Sequence, residues 1–331
     1  MKTAALIYAG SLTQRALEGL PGGDSAYKRC LDFASGLPGL ERALVLEGRT
    51  TLPDGPFPRE RREYWTIDGV LERLGGLGEG LDAVFYFWAD QPFLDAKLAA
   101  RMLENFRRYR AQYGFADGYP VGLSTEILSP RIVPALRSLA AGSDGGGGAA
   151  PARDSLFAVI QKDINAFDIE TEIAPLDLRD LRLTLACDSK RETLLVERLM
   201  AAGGSDEPSL LELIPRRLDL LRSLPAFVQV QVSGACPQTC QLCPYPKFGG
   251  DILSRSDFMP RNAFADILDQ VVDLSDDAVI DISLWGEPSL HPDIAGLIDE
   301  VLARPSLSLI VETSGIGWDR SLPERIAGHQ G

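Results

Sequence analysis

Phe227-Val-Gln-Val-Gln-Val-Ser233 leads through Gly234-Ala235 into Cys236-Pro-Gln-Thr-Cys240-Gln-Leu-Cys243. In the first segment Val228, Val230 and Val232 alternate with Gln229, Gln231 and Ser233, the period-two pattern of a strand with one apolar and one polar face. The alternation returns in Val279–Trp285, where Ile280, Ile282 and Leu284 face Asp281, Ser283 and Trp285, and less cleanly in Leu307–Thr313. Helices are predicted near Arg261–Leu274, Pro292–Ala303 and Asp319–Ala327; in the second, Ile294, Leu297, Ile298, Val301 and Leu302 form one apolar stripe. Strands joined by helices run parallel, and a flat parallel sheet covered on both faces would be apolar throughout. One polar face instead predicts a β/α barrel with helices outside and a polar lumen.

The chain has five cysteines, three of them within the eight residues Cys236–Cys243. Without an export signal, that crowding reads as reduced thiols and metal ligation rather than a disulfide frame. Three thiolates on one short loop can hold three irons of a 4Fe–4S cubane and leave the fourth iron open to a ligand. Zinc is the alternative, but it favours four closed ligands in paired units, and His291 and His329 stand far along the chain. Cys30 and Cys187 have no such neighbours and read as small buried residues.

Cys-x3-Cys-x2-Cys after a first barrel strand resembles the radical S-adenosylmethionine (SAM) superfamily. Trp285-Gly286-Glu287-Pro288 resembles that family's Gly-Gly-Glu-Pro, and Thr313-Ser314-Gly315 its Thr-Asn-Gly. The resemblance implies a 4Fe–4S cluster on Cys236, Cys240 and Cys243, with SAM contacts from Leu242, Trp285, Gly286, Glu287, Pro288 and Ser314. It implies a 5′-deoxyadenosyl radical made by the cofactors, so no catalytic side chain, together with a flavodoxin- or ferredoxin-type electron donor and a small-molecule or peptide substrate. Leu242 replaces an aromatic residue and Trp285 a glycine. The family's barrel has six strand–helix units and this chain stops after three, so a fragment is expected, inactive or weakly active alone. The combination resembles a spirochaete group that carries a SPASM domain beyond the barrel.

The bulk numbers agree with a folded, multidomain chain. At 331 residues, two domains are expected; 45% hydrophobic content fits a folded protein, and the formal charge of −14 argues against a nucleic-acid-binding surface. The apolar start, Met1–Gly10, reads as a buried strand rather than an export signal, and no run is long enough to span a membrane, so a cytoplasmic location without a membrane partner is expected. Ala201-Ala-Gly-Gly-Ser-Asp-Glu-Pro208 marks a boundary, whereas the glycine-rich stretch Gly142–Pro151 reads as a loop inside the first domain. The expected domains are 1–203, a helical linker 204–225 interrupted by Pro215, and 226–331.

In the first domain, strands at Ala4–Ala9, Ala43–Leu46 and Val84–Trp88 alternate with helices at Lys97–Tyr109 and Thr193–Ala202, predicting a Rossmann-type α/β sheet. Ala89-Asp90-Gln91-Pro92-Phe93-Leu94 resembles the Asp-x-Pro element of nucleotidyltransferases, the sugar cytidylyltransferases in particular. Tyr119–Leu128, and Leu181–Leu185 with Asp188 and Glu192, extend that resemblance. It implies a magnesium ion on Asp90 and Asp188 bridging nucleotide phosphates, which hard carboxylate oxygens suit, and a triphosphate loop containing Gly10 and Arg15. That loop departs from the family: glycine stands at Leu20-Pro-Gly-Gly23 where lysine is expected, and only Lys28 or Arg29 is near. The domain therefore reads as degenerate beside a radical SAM enzyme; the alternative is a cytidylyltransferase whose cysteine region is an accessory metal-binding part.

Overall fold

The computed structural model describes all residues except 143–145, 239, 244–256, 319–320 and 329–331, with the backbone alone at 146 and 325. His329, Asp319 and part of the Gly142–Pro151 loop thus lie outside the described residues. The chain forms two compact units, Met1–Arg222 and Ser223–Gly331.

The first unit is built on a seven-stranded sheet. Its strands are β1 (Thr3–Ala9), β2 (Leu40–Glu47), β3 (Arg59–Arg61), β4 (Ala83–Trp88), β5 (Tyr113–Asp117), β6 (Glu126–Leu128) and β7 (Ile169–Ile173). Their spatial order is β3-β2-β1-β4-β6-β5-β7, with only β6 reversed. Every residue of β1 is buried because both faces of the sheet are covered. Successive side chains point to opposite faces, so Ala5, Ile7 and Ala9 enter one core with Phe85 and Phe87, while Ala4, Leu6 and Tyr8 enter the other with Val84 and Tyr86.

Helix α1 (Ala26–Ser35) and α3 (Ala96–Arg108) cover the first face; α2 (Ile67–Leu77), α4 (Val133–Ala140) and α5 (Ser155–Gln161) cover the second. Helix α3 shows why such segments fold. Asp95 caps it by accepting from the Leu98 N–H at 2.7 Å, and Leu98, Ala99, Met102, Leu103 and Phe106 make one buried stripe. Each of the larger side chains contributes about 1.5–3 kcal/mol on burial. After α6 (Lys190–Ala201) comes α7 (Glu207–Arg216), opened by a capping box at Asp206 and Ser209. Pro215 sits in its last turn, and a short 3-10 turn follows at Leu218–Leu221. Leu210, Leu211 and Ile214 are buried in the first unit's core, so the segment expected as a linker is packed structure.

Strand order changes direction at β1, which connects through α1 to β2 on one side and lies against β4 on the other. A crevice at the carboxy ends of β1 and β4 follows from that reversal, and it is where ligands bind in open α/β sheets.

The second unit has strands β8 (Phe227–Val230), β9 (Ala278–Ile282) and β10 (Leu307–Val311), all parallel in the order β10-β9-β8. Helices Arg261–Ser275 and Ile294–Leu302 supply Phe264, Leu268, Leu297, Ile298 and Val301 to a core with Val230, Ile280 and Ile282. The half-barrel expectation is corrected here: the strands make an open three-stranded sheet. Its polar residues bond one another rather than surround a lumen, with Asp281 Oδ2 accepting from Gln229 at 3.0 Å and from Ser283 at 2.7 Å. The regular strand expected over Val279–Trp285 ends at Ile282, because Leu284 takes the left-handed region at φ 77°. Among the described residues, no helix is long and apolar enough to cross a membrane.

Candidate functional site

Three segments meet at the β1/β4 crevice. The Ala89 N–H donates to the Tyr8 carbonyl at 2.9 Å, extending the β1–β4 pairing by one residue and fixing the start of Ala89–Phe93. The segment Leu183–Cys187 runs beside Val121, with Val121 N–H donating to Leu183 at 3.0 Å and Leu185 N–H to Val121 at 2.7 Å. The Cys187 N–H then reaches the Asp90 carbonyl at 2.9 Å, and the Thr13 hydroxyl donates to the Cys187 carbonyl at 3.3 Å. Asp90 and Asp188, 98 positions apart in the sequence, are thereby brought together.

Between them lies Arg153, in the turn that precedes α5. Its guanidinium donates to Asp90 Oδ1 at 3.0 Å, to Asp90 Oδ2 at 2.7 Å and to Asp188 Oδ2 at 2.7 Å. Its carbon stands 4.7 Å from the centre of the Trp88 ring, a cation–π contact. Asp90 is 3% exposed. Burial, the largest influence, holds its carboxyl above the usual range despite the guanidinium. Burial also raises Asp188, but hydrogen bonds with Glu192 and Arg153 outweigh it and the net shift is downward. Glu192 is raised, first by burial and then by its hydrogen bond and charge repulsion with Asp188. The Oδ1 of Asp188 is buried without a nitrogen or hydroxyl donor, so a protonated Glu192 carboxyl is the group suited to supply one.

The first loop is shaped by close backbone approach. A Cβ on Gly48 would stand 1.9 Å from the Gly10 carbonyl oxygen, so only glycine lets the two strand ends meet there. A Cβ on Gly10 would stand 2.6 Å from the Tyr8 ring and 2.7 Å from Trp65, which makes Gly10 a packing residue. Arg15 lies in the 3-10 turn Gln14–Leu17. Lys28 is exposed and bonded to Asp32 one turn on, whereas the Arg29 guanidinium lies 3.5 Å from the Cβ position of Gly22, in the turn where Gly22 and Gly23 take φ 101° and 97°. Arg29 is thus the cation that meets the glycine turn.

Beside Arg153 opens a cavity of about 220 Å³, lined by Trp88, Tyr113, Phe115, Glu126, Arg153 and Phe157 among others. Glu126 accepts a short hydrogen bond from the Tyr113 hydroxyl, and burial raises its carboxyl to about 7. Arg153 lies outside every stretch singled out in the sequence, and Glu126, although inside Tyr119–Leu128, carries no role from the resemblance.

In the second unit, Cys236 and Cys243 are half-buried, Cys240 is exposed, and Leu242 is 96% exposed. The Cys243 N–H donates to the Cys240 carbonyl at 3.2 Å, closing a turn. Glu287 is buried, with its carboxylate already committed: it accepts from Ser289 N–H at 3.1 Å, from the Thr313 hydroxyl, and from Ser314 N–H and hydroxyl at 2.8 and 2.7 Å. Burial raises it, but these bonds outweigh burial and hold it at about 2. Gly286 packs on the Ser233 backbone, Pro288 starts a 3-10 turn, and Trp285 is exposed.

No family model matches the chain. An uncharacterized protein of Treponema pallidum (strain Nichols) is 34% identical over 167 residues, 50% of this chain and 45% of its own length. The chain spans less than half the length of the curated relatives it matches. A cytidylyltransferase structure from Leptospira borgpetersenii matches at 15% identity, covering 67% of this chain and 97% of its own, with a TM-score of 0.53. A Mycobacterium tuberculosis protein solved as a complex with manganese matches at 13% identity over 54% of this chain and 92% of its own, with a TM-score of 0.39. The Leptospira match shows the fold: an α/β unit on a mostly parallel sheet.

These findings correct the reading drawn from the cysteine loop. A solved structure that shares the fold over 67% of the chain is that of a cytidylyltransferase. Among the described residues, no three His, Cys, Asp or Glu side chains gather as a metal or cluster site would need, Cys236, Cys240 and Cys243 included. Glu287, expected to hold an amino group of SAM, is saturated by its own chain. The radical SAM assignment, its 4Fe–4S cluster and SAM, and the SPASM association are therefore withdrawn.

Proposed function

We propose that the amino-terminal unit is a nucleotide site of the cytidylyltransferase type. The crevice at the ends of β1 and β4 takes the phosphates of a cytidine nucleotide, and the cavity beside Arg153 takes an acceptor molecule. The observation that carries the reading is the convergence of Asp90, Asp188 and Arg153 at the sheet's reversal point, 2.7–3.0 Å apart. The likeness of fold to the Leptospira cytidylyltransferase supports it.

Magnesium on Asp90 and Asp188, which the family resemblance implies, does not fit the residues present. The guanidinium already spans both carboxylates. Arg153 is instead the tethered counter-ion of the two aspartates and offsets one of their two charges; only some of its five N–H donors are used by them, which leaves others to hydrogen-bond a phosphate oxygen. Arg29 supplies a second cation at the glycine turn. Asp90 and Asp188 then act as positioning residues that hold the guanidinium, and Trp88 stacks against it.

Calorimetric titration of the whole chain with CTP, UTP, ATP and GTP tests the reading. CTP is expected to bind at least about 10-fold more tightly than the purine nucleotides, a difference of about 1.4 kcal/mol. Absence of binding by all four at millimolar concentration would overturn it.

A further inference from the structure

We propose that Arg153 is the resident cation of this site, so that the Asp90/Asp188 pair excludes a divalent metal and nucleotide binding needs none. The consequence for nucleotide rests on the reading of the crevice as a phosphate site; the exclusion of metal does not.

Four observations carry the proposal. The guanidinium bonds both oxygens of Asp90 and one of Asp188, a bidentate grip shared with a second carboxylate. The Asp90 end of the cluster is well buried: the side chains of Arg153 and Asp90 are 20% and 4% exposed, while Asp188 stands at the rim with 35% exposed. Trp88 closes one face of the guanidinium, and a planar, weakly hydrated cation is the kind that tolerates such a site. Finally, the backbone carrying Arg153 is pinned. The Ala152 N–H donates to Ser155 Oγ at 2.7 Å and the Ser155 N–H returns to the Ala152 carbonyl at 3.1 Å. Helix α5 then follows at once, with Leu156, Val159 and Ile160 buried in the second core. A side chain rooted there is not on a loop free to withdraw when a metal arrives.

The charges agree with this arrangement. Asp90 and Asp188 together bring two negative charges, Arg153 returns one, and Glu192 shares the Asp188 side of the cluster. A divalent ion entering beside the guanidinium would place two cations against the same oxygens. One entering in its place would leave a desolvated guanidinium without a partner, the costly outcome for a buried pair.

The test uses the whole chain and two probes, manganese(II) followed by its EPR signal and CTP followed by calorimetry. Wild type is expected to take up no manganese at millimolar concentration and to bind CTP equally in EDTA and in magnesium. Arg153→Met is expected to gain one manganese per chain, with affinity raised by roughly 100-fold or more, because two neighbouring carboxylates, Asp90 buried and Asp188 at the rim, are left without a cation. The double variant Arg153→Met/Asp188→Asn is expected to lose that gain. Manganese uptake by wild type that Asp188→Asn abolishes would overturn the proposal. So would CTP binding that requires magnesium, while leaving the nucleotide reading intact. If no nucleotide binds but Arg153→Met still gains the metal, the nucleotide reading falls and the resident cation stands. The wild-type measurements decide the matter even if Arg153→Met does not fold.

Discussion

Glu126→Gln should make the first unit more stable than wild type by an amount that grows with pH. Glu126 lies on β6 opposite Tyr86 of β4, against the aromatic cavity, with the Tyr113 hydroxyl donating to it. Burial is the largest influence on its carboxyl; the Tyr113 bond offsets part of that and Asp154 adds to it, and the result is a rise from 4.5 to about 7. Below pH 4.5 the native and unfolded chains both hold the proton. Between 4.5 and 7 the unfolded chain releases it first, so this group's contribution is lost as pH rises through the native value. A rise of that size corresponds to about 3 kcal/mol at about 1.4 kcal/mol per tenfold. Glu126 keeps some solvent contact at the cavity, so about half of that is the realistic figure. Glutamine accepts the Tyr113 bond without ionising. The excess stability of Glu126→Gln over wild type should therefore be about 1.5 kcal/mol larger at pH 8 than at pH 4. Native-state amide exchange at Phe85 and Ile127, which pair across β4 and β6, reads the unit's own opening. Comparing variant with wild type at each pH cancels the intrinsic exchange chemistry. A difference that stays constant from pH 4.5 to 8 would refute the reasoning, since Glu126 would then titrate as an ordinary surface carboxylate.

Cys30 and Cys187 are fully buried, and burial pushes the Cys187 thiol to about 12 and Cys30 well above its usual value. Iodoacetamide at pH 8 should therefore add three groups to the native chain, at Cys236, Cys240 and Cys243, and five after unfolding; five on the native chain, by intact mass, would contradict the burial. A Cβ on Gly286 would stand 1.7 Å from the Ser233 carbonyl oxygen, a backbone contact that cannot yield. Gly286→Ala should thus cost about 3 kcal/mol or more and make the second unit sensitive to proteolysis at temperatures where the first is intact; unchanged proteolysis would show that the segment after β8 and the turn after β9 can separate freely.

The first unit's fold was legible because its strands are unusually plain. Continuous apolar runs at β1 and β4 can only be buried on both faces, and the helical stripe of α3 follows a clear period. Asp90 and Asp188 were paired by the resemblance of their segments to the cytidylyltransferases, and the fold brings both to Arg153 at the sheet's reversal point. The second unit misled for a physical reason. Alternation along β8 and β9 reports one covered and one uncovered face, and a barrel half and an open three-stranded sheet share that signature. The cysteine spacing likewise reports that three thiols can meet, but not that the folded loop brings them together. Glu287 shows the same gap: its motif identifies an important carboxylate, yet its four donors come from Ser289, Thr313 and Ser314 of the same chain.

Arg153 was invisible for a different reason, and that reason bears on how such sites are read. A pair of aspartates at strand ends creates an electrostatic need, because two neighbouring carboxylates in a partly buried crevice repel unless a cation lies between them. The sequence states that need through Asp90 and Asp188, but the need does not specify the cation. A free divalent ion and a tethered guanidinium both answer it. The tethered one has the advantage of an effective concentration of at least about millimolar, and of a planar fork matched to carboxylate oxygens. Which one wins is decided by a residue 63 positions from one aspartate and 35 from the other, placed by the turn before α5 rather than by either motif. Identical aspartates can therefore sit in a metal-dependent site or a metal-free one, and what distinguishes them is whether an arginine is fixed within reach of both.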